Sequence, residues 1–230
     1  MLQTIVLKMS ARAIEDNAAA SSPVTLTRDR ILDTAERLFA EHGLQQVSTR
    51  DITHAAAANV GAINYYFGGK EGLIEAIFNR RLTPMNHKRI ATLEALEKGG
   101  AHPRVEDLLD ALIRPAVEYC ADPDSGSAYF SRLMGRVLGE AGDCIEKLKA
   151  AHLHPLVDRF QQSFQKAVPT LSREEVHWRI LFTFGAMHYM LLSMTQALPP
   201  WMAERPSVEL QIQRLVAYAA AGFATPPRIS

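Results

Sequence analysis

The stretch Thr27–Leu73, TRDRILDTAERLFAEHGLQQVSTRDITHAAAANVGAINYYFGGKEGL, decides how the whole chain is read. In its first part Ile31, Leu32, Ala35, Leu38 and Phe39 recur at helical spacing, with Arg30, Glu36, Arg37 and Glu41 on the other side. Thr27 reads as the cap of that helix and His42-Gly43 as its stop. Ser48-Thr49-Arg50-Asp51 then opens a second helix: Ser48 caps it, and the Asp51 charge three residues on favours the N-terminal dipole. Ile52, Ala55 and Ala56 supply its apolar side. Asn59 reads as the cap of a third short helix running through Val60 to about Tyr66. Phe67-Gly68-Gly69 breaks the chain again before a long helix that begins at Lys70 and buries Leu73, Ile74, Ile77, Phe78 and Leu82. Three short helices, the second and third joined by a tight turn, have the dimensions of a helix-turn-helix. Leu32, Ala35, Phe39, Val47, Ile52, Ala55, Ile63 and Phe67 would form its core.

Outward from this unit the pattern stays helical. Upstream, residues 1–24 show no sustained apolar period and read as a flexible N-terminal arm. Downstream, Val105, Leu108, Leu109, Leu112, Ile113, Ala116 and Val117 form one stripe. Ile145, Leu148, His152, Leu156, Phe160 and Phe164 form another. Residues 176–198 make a third, and Val208, Ile212, Leu215, Val216, Ala219 and Phe223 the last. No Val/Ile/Thr-rich alternating run and no Asn-Gly turn appears, so no strand is expected. Pro115 and Pro155 lie inside apparent helices and should kink or split them. The expected architecture is all-α, with the helix-turn-helix at 25–70 and a helical bundle at 71–230.

Composition restricts function more than it reveals it. The 230 residues carry 25 Lys plus Arg and 25 Asp plus Glu, so bulk charge gives no pull toward nucleic acid. Any DNA binding must come from local arrangement. Two cysteines, Cys120 and Cys144, lack metal-ligand spacing and read as small core residues in a reducing compartment. The apolar run Leu2–Leu7 is too short for a signal peptide and contains Gln3 and Thr4, which points to the cytoplasm. The stretch between Arg179 and Glu204 has no formal charge and is long enough for a bilayer at about 20 residues. Thr183, His188, Ser193, Thr195 and Gln196 interrupt it and Pro199-Pro200 stops it, so it reads as a helix buried in a bundle or dimer, with no membrane partner. His152 and His154 point to different faces of a helix, and no third metal ligand accompanies them. With no nucleophile elbow, phosphate-cradling loop or HExxH pair, neither catalytic residues nor a cofactor or metal are expected.

The run Ile31-Leu32, Ala35, Leu38-Phe39, Gly43, Ser48-Thr49, Ile52, Ala55-Ala56, Gly61, Tyr65-Tyr66-Phe67, Lys70-Glu71 and Leu73 resembles the TetR family of bacterial repressors. That resemblance implies a three-helix DNA-binding domain joined by a fourth helix to a ligand-binding and dimerisation domain. By the same resemblance Thr49, Arg50, Tyr65, Tyr66 and Lys70 fall where the family grips phosphates. Val60, Gly61, Ala62 and Asn64 fall where it meets bases. Ser48 and Asn59, as caps, aim helix N-termini at phosphates and complete the set. Ala57 and Ala58 depart from the family's usual Gly and Val: a positive φ at Ala57 would cost about 1 kcal/mol, unless the second helix runs longer. The C-terminal half is more weakly similar to the branch that regulates fatty-acid metabolism.

For the C-terminal half, Phe130, Met134, Phe160, Phe164, Trp178, Phe182, Met187, His188 and Leu191 are candidates to line an adaptable apolar cavity. His188, with Arg132, Arg136 or Arg179, could anchor a polar group. The expected function is a homodimeric, sequence-specific repressor of transcription, released from operator double-stranded DNA by a small apolar or amphipathic inducer. The same scaffold also suits a DNA-binding activator or architectural protein. A helical ligand-binding protein or enzyme without DNA binding is the remaining alternative.

Overall fold

The computed structural model describes residues 23–99, 103–122, 125, 127–138, 142–194 and 196–226, so the arm expected at 1–24 lies almost wholly outside them. Among these residues all regular structure is helical. In chain order the helices are α1 (Pro23–His42), α2 (Thr49–Ala55), α3 (Ala62–Phe67), α4 (Lys70–Lys98), α5 (Val105–Ala121), α6 (Ala128–Leu138), α7 (Asp143–Leu148), α8 (His154–Ala167), α9 (Arg173–Met194) and α10 (Val208–Ala224). None of them is long and apolar enough to cross a membrane.

α1 stops where expected: the Gly43 N–H donates to the Phe39 carbonyl at 2.9 Å. It starts earlier than expected, at Pro23, so Thr27 lies inside the helix and is not its cap. Proline is tolerated in a first turn because the N–H there has no acceptor to lose. Leu32, Ala35, Phe39, Val47, Ile52 and Ile63 are buried together, joined by Ile31, Leu44 and Ala56. Ala55 is exposed and Phe67 only half-buried. The seven-residue α2 turns Ala56, and not Ala55, inward.

Glu36 also departs from the outer face its spacing suggested. It is 1% exposed, because α4 lies across that side of α1. Its carboxylate accepts from Arg80 Nη2 at 2.7 Å and from Arg81 Nε at 3.0 and 3.1 Å. Arg81 donates further to the Tyr119 hydroxyl and the Ser125 carbonyl, beyond the end of α5. One buried carboxylate thus ties α1 to α4, and Arg81 ties both to the C-terminal half.

α4 has 29 residues, which at ~1.5 Å per residue is about 43 Å, and it belongs to both halves. Leu73, Ile74, Ile77 and Phe78 are buried in its first part; Met85, Arg89 and Leu93 are buried in its second. Pro84, between the two, has no N–H for the Arg80 carbonyl. α5 packs on α4 and α10, α8 on α9, and α6 against α1. Arg114 on α5 bridges Asp110 at 2.8 Å and Glu209 of α10 at 2.6 Å. Phe164 of α8 stacks on Phe223 of α10 at 4.5 Å.

The two prolines behave differently from each other. Pro115 sits inside an unbroken α5. Pro155 stands in the first turn of α8, and the chain from α7 reaches it through a π-helical turn, Lys149–Leu153. A proline ring crowds the carbonyl four residues earlier, and the wider π turn makes room for it. The stripe from Ile145 to Phe164 is thus divided between α7, the π turn and α8, and the short α6 is an element the sequence reading did not assign.

Candidate DNA-binding face and ligand cavity

Ser48 and Asp51 lock the start of α2 reciprocally. The Asp51 N–H donates to Ser48 Oγ at 3.2 Å, while Asp51 Oδ2 accepts from the Ser48 N–H at 2.8 Å and from its hydroxyl at 2.6 Å. Those hydrogen bonds from Ser48 hold the Asp51 carboxyl below its usual range. Two orphan N–H groups are thereby satisfied, and Arg50 stands exposed beside them. At the far end Arg30 of α1 donates from Nε to the Ala56 carbonyl at 2.7 Å. Arg30 therefore stabilises the turn, and Arg37 pairs with Glu41 at 3.1 Å. Among the described residues Arg50 is an exposed cation with neither a carboxylate nor a backbone carbonyl against it.

The turn that follows is tight. Ala57 has φ +47°, so the helix does not run longer and the strained alternative holds. Its side chain is exposed, so a glycine there gives up little buried surface. Ala57→Gly should raise stability by about 1 kcal/mol, since left-handed strain of roughly 1–2 kcal/mol outweighs the ~0.5–1 kcal/mol entropy cost of glycine. Urea unfolding checks this; a lowered midpoint would show that the turn is not strained.

α3 begins two residues later than Asn59 suggested. Asn59 Oδ1 accepts from the Gly61 N–H at 2.8 Å, and its carbonyl from the Ala62 N–H at 2.9 Å, so Gly61 takes the cap position. Val60, Gly61, Asn64 and Tyr65 are exposed, Tyr65 by 80%. Ala62 turns into the core with Ile63. Tyr66 is half-buried edge-to-face against Tyr65 at 4.9 Å. Thr49 is half-buried; the half-buried Lys70 places its ammonium 5.9 Å from the centre of the Phe39 ring. The candidate residues for DNA are thus exposed or half-buried along α2, the turn, α3 and the start of α4, Ala62 excepted. Gly68 and Gly69, at φ +73° and +125°, turn the chain from α3 into α4.

The C-terminal half encloses a cavity of about 280 Å³ between α4, α5, α6, α8 and α9. Phe130, Met134, Met187, His188 and Leu191 line it, as expected from their types. Phe160 and Phe164 do not, being fully buried in the helix packing. Trp178 and Phe182 face outward from α9, stacked on each other at 5.9 Å. The rest of the wall includes Phe78, Leu82, Met85, Leu156 and Phe184, and, less expectedly, Asn86, Arg89 and His152. Arg179 is no anchor: it pairs with Glu175 and caps α10 through the Gly222 and Phe223 carbonyls. Arg132 is exposed. The side chain of Arg136 lies outside the described residues. Arg89 sits in their place, and its signal was readable: Met85, Arg89 and Leu93 share one stripe of α4 at i, i+4 spacing. Among the described residues no group of side chains could hold a metal ion.

The model of bacterial regulatory proteins of the tetR family matches residues 31–77, and the tetracyclin repressor-like C-terminal domain matches residues 110–222, together well over half of the chain. Over 61 residues the chain is 39% identical to the HTH-type transcriptional repressor AcnR of Corynebacterium glutamicum, covering 26% of this chain and 32% of that protein. Over 131 residues it is 28% identical to the HTH-type transcriptional repressor ComR of Escherichia coli, covering 56% and 60%. Both aligned stretches span less than two thirds of the relative's own length. The fatty acid degradation regulator FadR from Bacillus halodurans superposes with a TM-score of 0.62 at 16% identity, over 90% of this chain and 99% of that one, a likeness of fold alone. These relatives are regulators of transcription, not enzymes, and the two matched ranges run from α1 into α4 and from α5 into α10. The chain belongs to the TetR family of helix-turn-helix transcriptional regulators.

Proposed function

We propose that the chain is a sequence-specific DNA-binding repressor, acting in the cytoplasm as a homodimer, that leaves its operator when a small apolar or amphipathic molecule fills the cavity. The observation that carries this reading is the course of α4. The helix starts beside α3, is held to α1 through Arg80, Arg81 and Glu36, and runs on through the cavity wall with Asn86 and Arg89. Residues 25–70 then serve DNA and 71–230 serve ligand and partner. Pro84 gives α4 a place to bend between the two tasks.

Two recognition helices must sit roughly 34–36 Å apart to enter successive major grooves. A ligand that prefers a tilted α4 spoils that spacing, and operator DNA must weaken the ligand by the same factor, typically about 5–150-fold. Pairing of two chains is supported by the faces of α9 and α10. Trp178, Phe182, Tyr189 and Tyr218 are exposed beside Ala217, Ala221 and Gly222, an apolar surface with small residues that allow close approach.

The direct test is fluorescence anisotropy with labelled DNA from upstream of the protein's own gene, with and without extract of the native host. Retention that extract abolishes supports the reading; absence of any binding by a dimeric preparation overturns it. Within that assay Arg50→Ala should weaken all sequences alike and lower the salt slope by about 1, because one phosphate contact is lost. Asn64→Ala should instead change which operator is preferred, by about 1–3 kcal/mol at one base position. If both variants behave alike, α3 does not lie against the bases.

A further inference from the structure

Arg89 is 3% exposed, yet among the described residues no carboxylate lies within ion-pair reach of it. The other deeply buried arginines are paired, Arg81 with Glu36 and Arg179 with Glu175. Arg89 has only weaker company. Nε donates to the Leu112 carbonyl at 2.7 Å, Nη1 to Asn86 Oδ1 at 3.1 Å, and Nη2 to the Met187 thioether at 3.7 Å. A guanidinium has more donors than these three acceptors satisfy, and a thioether is a poor acceptor. Burial pulls the Arg89 pKa down to about 10, which still leaves it charged near neutral pH. A buried cation without a counter-charge is costly unless something completes it.

Two further groups in the same cavity wait for a partner. Among the described residues His152 Nε2 and His188 Nε2 have no hydrogen-bond partner, though both are buried. Burial lowers the pKa of both imidazoles, so neither adds a second positive charge near neutral pH. His152 is set in the wall by the π-helical turn, and its carbonyl accepts from Asn86 Nδ2 at 2.9 Å. Asn86 thus joins the Arg89 and His152 sides of one polar corner in an otherwise apolar chamber. His188 follows Met187, the residue Arg89 touches, along α9.

We propose that the cavity binds a small monocarboxylate with an apolar body, its carboxylate accepting two N–H bonds from Arg89 and meeting His152 or His188. This rests on the reading of the cavity as the inducer site. The alternatives fit less well. Among the described residues no Asp or Glu lines the cavity, which disfavours a cationic ligand. Lys149 is already paired with Glu146 at 2.9 Å, so a phosphate dianion would find one cation for two charges. The volume suits a body of about ten non-hydrogen atoms, taking the ~30 Å³ of a liquid water for each. A fork-to-fork pair reads a planar carboxylate better than a neutral ester or alcohol.

Calorimetry on the full-length chain with octanoate, methyl octanoate, 1-octanol and 3-phenylpropanoate tests this. At least one acid should bind tenfold or more tightly than the ester and the alcohol. A tighter octanoate identifies an alkyl body and a tighter 3-phenylpropanoate an aryl one. Arg89→Met should erase the preference for acid while keeping the ester. Should that variant not fold, Arg89→Lys, which keeps the charge without the fork, should lower acid affinity several-fold. Equal binding of acid and ester, no binding of either acid at millimolar concentration, or a preference that survives in Arg89→Met overturns the assignment. Operator release is followed separately: an acid that binds without releasing DNA refutes the switch and leaves the site standing.

Discussion

Glu36→Ala is expected to cost about 3–5 kcal/mol of stability, the range for breaking a buried ion pair by removing one partner. The Glu36 side chain is almost fully buried and that of Arg81 is 11% exposed. Burial works against the Arg81 charge, and Glu36, with a smaller share from Tyr119, more than offsets it, so the guanidinium pKa ends above its usual value. Without the carboxylate only the Tyr119 hydroxyl and the Ser125 carbonyl remain as acceptors, and the charge loses its counter-ion. Arg80 keeps a bond to the exposed Asp33 at 2.7 Å, so its share of the loss is smaller. Glu41, paired with Arg37 at the surface of the same helix, gives the contrast: Glu41→Gln should cost at most about 1 kcal/mol. Urea midpoints at unchanged slope measure both. A cost below about 1 kcal/mol for Glu36→Ala would mean that the cluster does not hold α1 to α4.

The same residue shows where reading from sequence stops. Glu36 follows Ala35 on a helix whose apolar positions are Ile31, Leu32, Ala35 and Phe39, and periodicity assigns it to water. That assignment fails because a second helix covers the polar side, a fact no local pattern carries. The helix-turn-helix itself was legible, since caps and breaks are local: Ser48, Asp51, Gly43 and Gly68-Gly69 each act within a few residues. α3 was misplaced by two residues because Asn59 accepts the Gly61 N–H in a turn that resembles a cap. The cavity was half legible for a different reason. α9 carries two apolar stripes, Val176, Ile180, Met187 and Leu191 on one side and Trp178, Phe182 and Tyr189 on the other. Composition cannot say which stripe faces the chain's own core, so by residue type Trp178 and Phe182 pass for cavity residues although they face outward. Arg89 was visible as a cation in an apolar stripe; that no carboxylate meets it became visible only from the fold.

Gly72→Ala should lower both stability and operator affinity, although helix propensity alone argues the opposite. Within a helix, alanine is better than glycine by up to about 1 kcal/mol. At position 72, in the first turns of α4, an added Cβ would stand 1.9 Å from the Phe67 carbonyl oxygen and 3.0 Å from its carbon. Carbon and oxygen approach no closer than about 3.3–3.6 Å even where they attract weakly. The obstacle is backbone at the end of α3, so no side chain can swing aside, and α3 must shift by more than an ångström. Overpacking of this kind typically costs about 1–3 kcal/mol, and the shift falls on the helix that carries Asn64 and Tyr65. Loss of one well-formed base contact is worth about 1–3 kcal/mol, so the operator should bind at least roughly fivefold more weakly. Ligand binding in the cavity, more than one α4 turn beyond Gly72, should change little. Gly68→Ala separates strain from contact: with φ +73° and no atom within 4 Å of its added Cβ, it should cost only about 1–2 kcal/mol and spare the base preference. Unfolding midpoints and anisotropy on one preparation of each variant decide the matter. A stability gain in Gly72→Ala with unchanged operator affinity would show that α3 does not rest on α4 at this point.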